Sequence, residues 1–293
     1  MKQNIIIFLK GMLMGICDVI PGVSGGTIAF ITGIYDRLIN AVKGFSPELA
    51  VDFFKYIMKR SQENYSKLKE DIKKLDLIFL TTLVLGIGIA IFIGSGIITF
   101  LLENHFVYTI AFFIGLIIAS SKVIYNNIKN HKLKNISFGI LGLLIGLSLA
   151  VIIPVNVTPN LIYILIAGFL AISAMFLPGI SGAFILLILG VYEFMLNVIH
   201  NIVDNIAFFI VFLIGAALGA FIISRVISFL FKKDRCKTLY VLLGLVVGSL
   251  SIPIKRMFQS SNVWSIPSII ITIVFFLLGF FIVSTVSKIE NKK

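Results

Sequence analysis

The segment Pro21-Gly22-Val23-Ser24-Gly25-Gly26 lies in strongly apolar sequence and returns 157 residues later as Pro178-Gly179-Ile180-Ser181-Gly182-Ala183. A proline followed by clustered glycines continues a helix poorly. In hydrocarbon, such irregular backbone survives only where protein or a water-filled cavity satisfies it. A helix restarting near Ser24 or Ser181 would offer unpaired amide N–H groups and the positive end of its dipole. Glycines leave room for a ligand, and hydroxyls add donors. That is anion chemistry, suited to phosphate or carboxylate. The candidate contacts are Gly22, Ser24, Gly25, Gly26 and Thr27 from the first copy, and Gly179, Ser181 and Gly182 from the second. The competing reading is that Gly and Ser serve only tight helix packing.

Few charges interrupt the apolar sequence: Asp18, Asp36, Arg37, Glu193 and Arg225. Such residues are functional candidates by default. A guanidinium facing the cavity would bind phosphate through its fork, so Arg37 and Arg225 join the candidate anion site. The alternatives are that Arg225 snorkels to the membrane surface and that Arg37 pairs with Asp18 or with the partner segment. Asp18, Asp36 and Glu193 are candidates for carrying a coupling cation. Asp36 and Glu193 occupy matched positions, each after a matched Tyr, so a shared role, coupling or capping, is expected. Asp18 faces Met175 in the other copy and is not required by the repeat. His105, His131 and His200 fall at span edges or loops. With no nucleophile–base pair, no zinc motif and no Walker loop, the chain reads as neither an enzyme nor a holder of metal or cofactor. Cys17 and Cys236 suggest no disulfide.

The elements positioning these residues follow from hydropathy. The chain of 293 residues is 59% hydrophobic and 13% charged, with a mean hydropathy of +1.08, far from soluble composition. Spans are predicted over 76–102, 106–124, 134–153, 206–231, 237–253 and 266–287. The motifs split two further apolar runs, 5–43 and 160–200, each read as a re-entrant hairpin whose outgoing limb is one half-helix. Gly86, Phe92, Gly115 and Ser120 match Gly215, Phe221, Gly244 and Ser249 at an offset of 129. The fold class expected is therefore an all-α polytopic membrane protein with an inverted repeat, each half one hairpin and three spans. The first half is 1–153, including a polar insertion at 44–75, and the second is 154–293. The insertion reads as an amphipathic helix on the inner leaflet or as a solvated loop.

Three crossings per half would turn the second half upside down. Lys and Arg are plentiful in 44–75, 124–134 and 232–237, and absent from 103–105, 154–159 and 201–205. The positive-inside rule then puts both termini in the cytoplasm. The net charge of +12 fits anionic lipid better than nucleic acid.

The stretch from Lys10-Gly11 through Asp18-Val19-Ile20-Pro21-Gly22-Val23-Ser24-Gly25-Gly26-Thr27, with Gly33-Ile34-Tyr35, resembles the signature of the PopT-type polyprenyl-phosphate transporters. Leu177-Pro178-Gly179-Ile180-Ser181-Gly182 resembles that family's internal repeat. The resemblance implies translocation of undecaprenyl phosphate, the lipid carrier of cell-wall building blocks, from the outer to the inner leaflet of the cell membrane. Inward movement of the phosphate opposes an inside-negative potential, so coupling to protons or Na⁺ is expected. The alternative is a transporter or channel for a small soluble anion. An intramembrane enzyme acting on lipid phosphate is disfavoured.

Overall fold

Apolar side chains cover the outside of the long helices: Phe92 is 87% exposed, Ile93 62% and Phe281 61%. Such a surface is stable against lipid, where satisfied helical backbone is one of two permitted spanning forms. The computed structural model describes residues 2–19, 24–152, 157–260 and 265–290, and all regular structure among these is helical. The first half contains α1 (Lys2–Asp18), α2 (Gly25–Ile31), α3 (Tyr35–Lys43), α4 (Pro47–Met58), α5 (Gln62–Lys74), α6 (Leu77–Asn104), α7 (Phe106–Asn126) and α8 (Leu133–Leu149). The second contains α9 (Leu161–Met175), α10 (Gly182–Ile188), α11 (Tyr192–His200), α12 (Ile206–Ser249), α13 (Ser251–Ser260) and α14 (Ile266–Glu290). α6, α7, α12 and α14 contain stretches long and apolar enough to cross a bilayer, while α8 and α9 are shorter apolar helices.

α12 holds the two spans expected at 206–231 and 237–253 as two helical limbs that meet at Asp234. Its 44 residues would run about 66 Å if straight, roughly twice the hydrocarbon thickness. Asp234 breaks it with extended backbone (φ −161°, ψ 95°). The expected basic loop contracts to this kink because Asp234 starts the next limb. Its Oδ1 accepts from the Lys237 amide at 3.0 Å, as an N-cap does.

The outgoing limb of each hairpin also differs from expectation. Instead of one half-helix, each is two short helices, α2–α3 and α10–α11, the second pair bent by 116°. Gly33 (φ +70°) and Gly190 (φ +68°) sit at the matched breaks. The Gly33 and Ile34 amides donate to Phe30 and Ala29 carbonyls, and the Gly190 and Val191 amides to Leu187 and Leu186 carbonyls. This is a Schellman ending, built twice. In the 44–75 insertion, the choice between helix and loop resolves to two helices. Ser46 and Ser61 cap α4 and α5, and Phe54, Ile57 and Met58 stay exposed.

Helix pairs form through glycine. α1 lies along α6, and α9 along the first limb of α12. A Cβ on Gly86 would strike the Phe8 carbonyl, and one on Gly215 the Leu165 carbonyl. These four residues are related by the two sequence offsets, 129 and 157. α7 lies along α14 and the second limb of α12 along α8 in the same manner. Gly115 presses on Phe276 and Gly279 on Phe112, while Gly244 presses on Gly139 and Gly142 on Val241. These contacts relate α8 to α14 at an offset of 137. Without a hydrophobic force between helices in lipid, such close backbone approach is what holds them.

Gly244→Leu and Gly279→Leu should each drive a side chain into a facing carbonyl, costing about 1–3 kcal/mol or more. Lower unfolding temperatures in detergent for both would be the readout. Wild-type temperatures would show that these backbones are not tightly apposed.

Candidate functional site

The two motif segments meet. Ser24, at the head of α2, directs its hydroxyl to the Leu177 carbonyl at 3.5 Å. Thr27 Oγ1 accepts from the Gly179 amide at 2.9 Å. Tyr35, 2% exposed, donates its hydroxyl to the Phe176 carbonyl at 2.8 Å. These bonds join residues more than 140 positions apart, and Ser24, Thr27 and Ser181 are all buried.

Several tip amides expected to be bare are closed by side chains. The Gly25 amide donates to Asp18 Oδ1 at 2.8 Å, the Gly179 amide to Thr27, and the Phe184 amide to Ser181 Oγ at 3.4 Å. The physical reason is burial: an amide removed from water without a partner costs about 1–3 kcal/mol. Gly26 and Gly182 also serve packing. A Cβ on Gly26 would meet the Met175 carbonyl, and one on Gly182 the Met175 side chain and Ala171 carbonyl. Gly179 needs its φ of +91° and lies against the Val246 backbone. Gly22 lies outside the described residues.

Two buried side-chain polar atoms find no hydrogen-bond partner among the described residues: Asp18 Oδ2 and Ser173 Oγ. Each lies near the end of a limb leading into a tip, on α1 and α9. A carboxylate buried in apolar surroundings is costly unless a cation or a proton joins it. Ser173 escaped the sequence reading because a lone Ser in an apolar helix carries no signal of its own.

The two arginines are engaged elsewhere. Arg37 does not reach Asp18 or the partner segment. It grips Asp76 through Nε at 2.6 Å and Nη2 at 3.1 Å, with Phe79 beneath its guanidinium. Asp76 heads α6 in the left-handed conformation (φ +47°), so the pair fixes an awkward corner. Arg225 donates to the Phe45 carbonyl at 2.8 Å, the Lys43 carbonyl at 3.3 Å and the Phe221 carbonyl at 2.9 Å. It ties down the carbonyls that end α3. Asp36 forms a 2.7 Å ion pair with Arg235. Glu193 is exposed, and Phe106 occupies the position that matches Arg235 at the offset of 129. Asp36 and Glu193 therefore have different surroundings.

Lys10 is not among the candidate site residues read from sequence, yet it holds the hairpin together. Its Nζ donates to the Thr32 carbonyl at 2.5 Å, at the break between α2 and α3. The usable signal was a lysine ten residues along, with Ile5–Leu9 before it and Met12–Ile16 after it.

Thr27→Val keeps the shape but removes the acceptor for the Gly179 amide. The expected result is a loss of about 1–3 kcal/mol of stability and faster amide exchange at Gly179, both restored by Thr27→Ser. Unchanged exchange in the valine variant would show that the bond does not hold the tips together.

Residues 14–269 match the model of a family described as undecaprenyl phosphate translocase-like. A "Polyprenyl-phosphate transporter" of Vibrio cholerae serotype O1 is 36% identical over 243 residues, covering 83% of this chain and 75% of that protein. A protein of the same description from Staphylococcus aureus is 29% identical over 97% of both chains. No solved structure is significantly similar. The family match spans both motifs, and on it the chain belongs to the undecaprenyl phosphate translocase-like family.

Proposed function

We propose that this protein carries a polyprenyl phosphate, undecaprenyl phosphate or a close analogue, from the outer to the inner leaflet of the cell membrane for reuse, with the phosphate crossing at the meeting of the two tips. The observation carrying this reading is the junction itself, where Ser24, Thr27 and Tyr35 bond to residues 176–179 of the other half. Paired breaks at matched places are the sequence pointer to a transporter's binding region. The names of the two relatives supply the substrate class. A phosphate passing unaided through hydrocarbon faces tens of kcal/mol of desolvation, and polar groups at the junction offset part of that. Transport, not bond cleavage, is the chemistry these groups serve.

The reading includes an inverted repeat of 1–153 on 154–293, with both termini cytoplasmic. Its support is the doubled set of glycine contacts and the distribution of Lys and Arg. The hairpins at 5–43 and 160–200 remain re-entrant in this reading, each with a bent second limb. Among the site residues, Ser24, Gly25, Gly26, Thr27, Gly179, Ser181 and Gly182 surround the crossing point. Gly22 is kept on sequence grounds. Arg37 and Arg225 act through the helix ends they hold unless a second conformation frees them.

Inward movement of a phosphate of charge about −1.5 to −2 opposes the membrane potential at about 2.3 kcal/mol per charge per 100 mV. A co-transported proton or Na⁺ offsets this cost, and Asp18 is its best carrier, with a buried carboxylate oxygen that no described residue satisfies. Asp36 is already paired and Glu193 is exposed, so they rank below it.

The test uses purified protein in vesicles with imposed proton, Na⁺ and voltage gradients. Wild-type protein should bind polyprenyl phosphate in preference to inorganic phosphate and move it faster when a cation gradient points inward. Asp18→Asn should keep binding but lose at least about tenfold of the gradient-driven rate, equivalent to about 1.4 kcal/mol. Transport by wild type that ignores all three gradients would end the coupling proposal, and preference for inorganic phosphate would end the lipid reading.

A further inference from the structure

Two cavities, each lined mainly by one half of the chain with one helix of the other half, are copies of each other. One, of 510 Å³, sits where α6 turns into α7 and includes Leu101, His105 and Thr109. The other, of 620 Å³, sits at the Asp234 kink of α12 and includes Leu230, Asp234 and Thr238. Each of these three pairs is separated by 129 residues, as are Tyr108 with Lys237 and Phe113 with Leu242. Phe275 of α14 in the first cavity corresponds to Phe138 of α8 in the second, at the offset of 137 given by the glycine contacts. Even a hydrogen bond repeats. Thr109 donates to the His105 carbonyl and Thr238 to the Asp234 carbonyl, each at 2.9 Å.

The walls are apolar and open sideways, since Leu141, Ile145 and Leu230 are 51%, 43% and 41% exposed. The second cavity reaches the motif directly, because Leu177 and Ile180 line it on either side of Pro178-Gly179. Its mouth is cationic. Lys237 is held at 2.7 Å by Asp234, and Lys233 lies over the Phe229 ring. The first cavity instead carries His105 and Tyr108, stacked on one another.

We propose that these paired cavities are the two leaflet stations of the transported lipid, each taking the first isoprene units of the chain against its apolar wall. At the cytoplasmic station, Lys233 and Lys237 meet the phosphate. At the opposite station, His105 and Tyr108 take their place with far less positive charge. The inference rests on the lipid reading above and deepens it. An apolar slot continuous with the tip and cationic only at its outer rim fits an amphiphile with one anionic end. A soluble anion would gain nothing from the walls.

The experiment is photolabelling of the full chain in vesicles with a polyprenyl phosphate bearing a diazirine on its first isoprene units. Label is expected on α8 and the second limb of α12, and on α7 and α14. Unlabelled polyprenyl phosphate should displace it, and phosphatidylcholine or inorganic phosphate should not. Lys233→Gln should lower label at the kink roughly tenfold and leave the His105 cavity labelled. Lys288→Gln, the same charge change on α14, should alter neither. Leu141→Trp, at an exposed position that fills the slot, gives a second block independent of charge. Specific label confined to the tips, or label displaced equally by phosphatidylcholine, would overturn the two stations while leaving the lipid reading intact. No displaceable label anywhere would overturn both.

Discussion

Broken backbone inside a membrane must find its partners within the protein, and this requirement organises the whole hairpin region. Each short helix ends in carbonyls that water would satisfy elsewhere. Here a long side chain from another element reaches the ends of α2, α3, α9 and α10. Lys10 closes Thr32, Tyr163 closes Leu189 at 2.9 Å, Tyr35 closes Phe176, and Arg225 closes Lys43 and Phe45. Thr32 and Leu189 occupy matched positions in the two halves, yet an ammonium serves one and a phenol the other. The geometry of the break is repeated; the chemistry that seals it is not.

That difference separates what sequence could reveal from what it could not. Matched Gly33 and Gly190, or Gly86 and Gly215, mark places where only a missing side chain permits the backbone path, so they survive as visible identities. The all-helical class and the long apolar spans follow from hydropathy, and such glycines mark where helices break or pack closely. Arg37 and Arg225 bond here to Asp76 and to backbone carbonyls, respectively, partners that sequence could not reveal, because an intramembrane guanidinium looks the same whether it awaits a ligand or caps a helix. Gly33 and Gly190 were visible as a match, but composition did not show that a helix ends there. A seven-residue helix followed by a glycine has the same composition as a continuous half-helix.

The α12 kink shows the same economy at larger scale. One residue, Asp234, ends one span, caps the next and positions Lys237. Its neighbour Arg235 reaches back to Asp36 at the start of α3, and Arg225 anchors the end of that helix. The first hairpin is thus tied to the second half at both ends of α3 as well as at the tip. A movement of the tips relative to one another would have to carry α3 and the kink with it, or break these ties. The natural moving body is therefore a hairpin with its attached α12 limbs.

In the proposed transport cycle, the paired cavities would give such a motion a direction. If they were chemically identical, a lipid phosphate would be equally stable at either and the repeat alone could set no preference. The positions that correspond to His105 and Tyr108 hold Asp234 and Lys237, and Lys233 stands beside them. A lysine near the membrane surface attracts an anionic group by about 1 kcal/mol, so in the proposed arrangement the station at the kink would retain the phosphate more strongly. Retention alone transports nothing, because tight binding at the end of a cycle slows release. On the proposed inward route it would offset part of the electrical cost of moving a negative group, leaving less of the work to the proposed coupled cation. On this proposal a shared architecture sets the path, and a few unmatched side chains at its two mouths would tilt it.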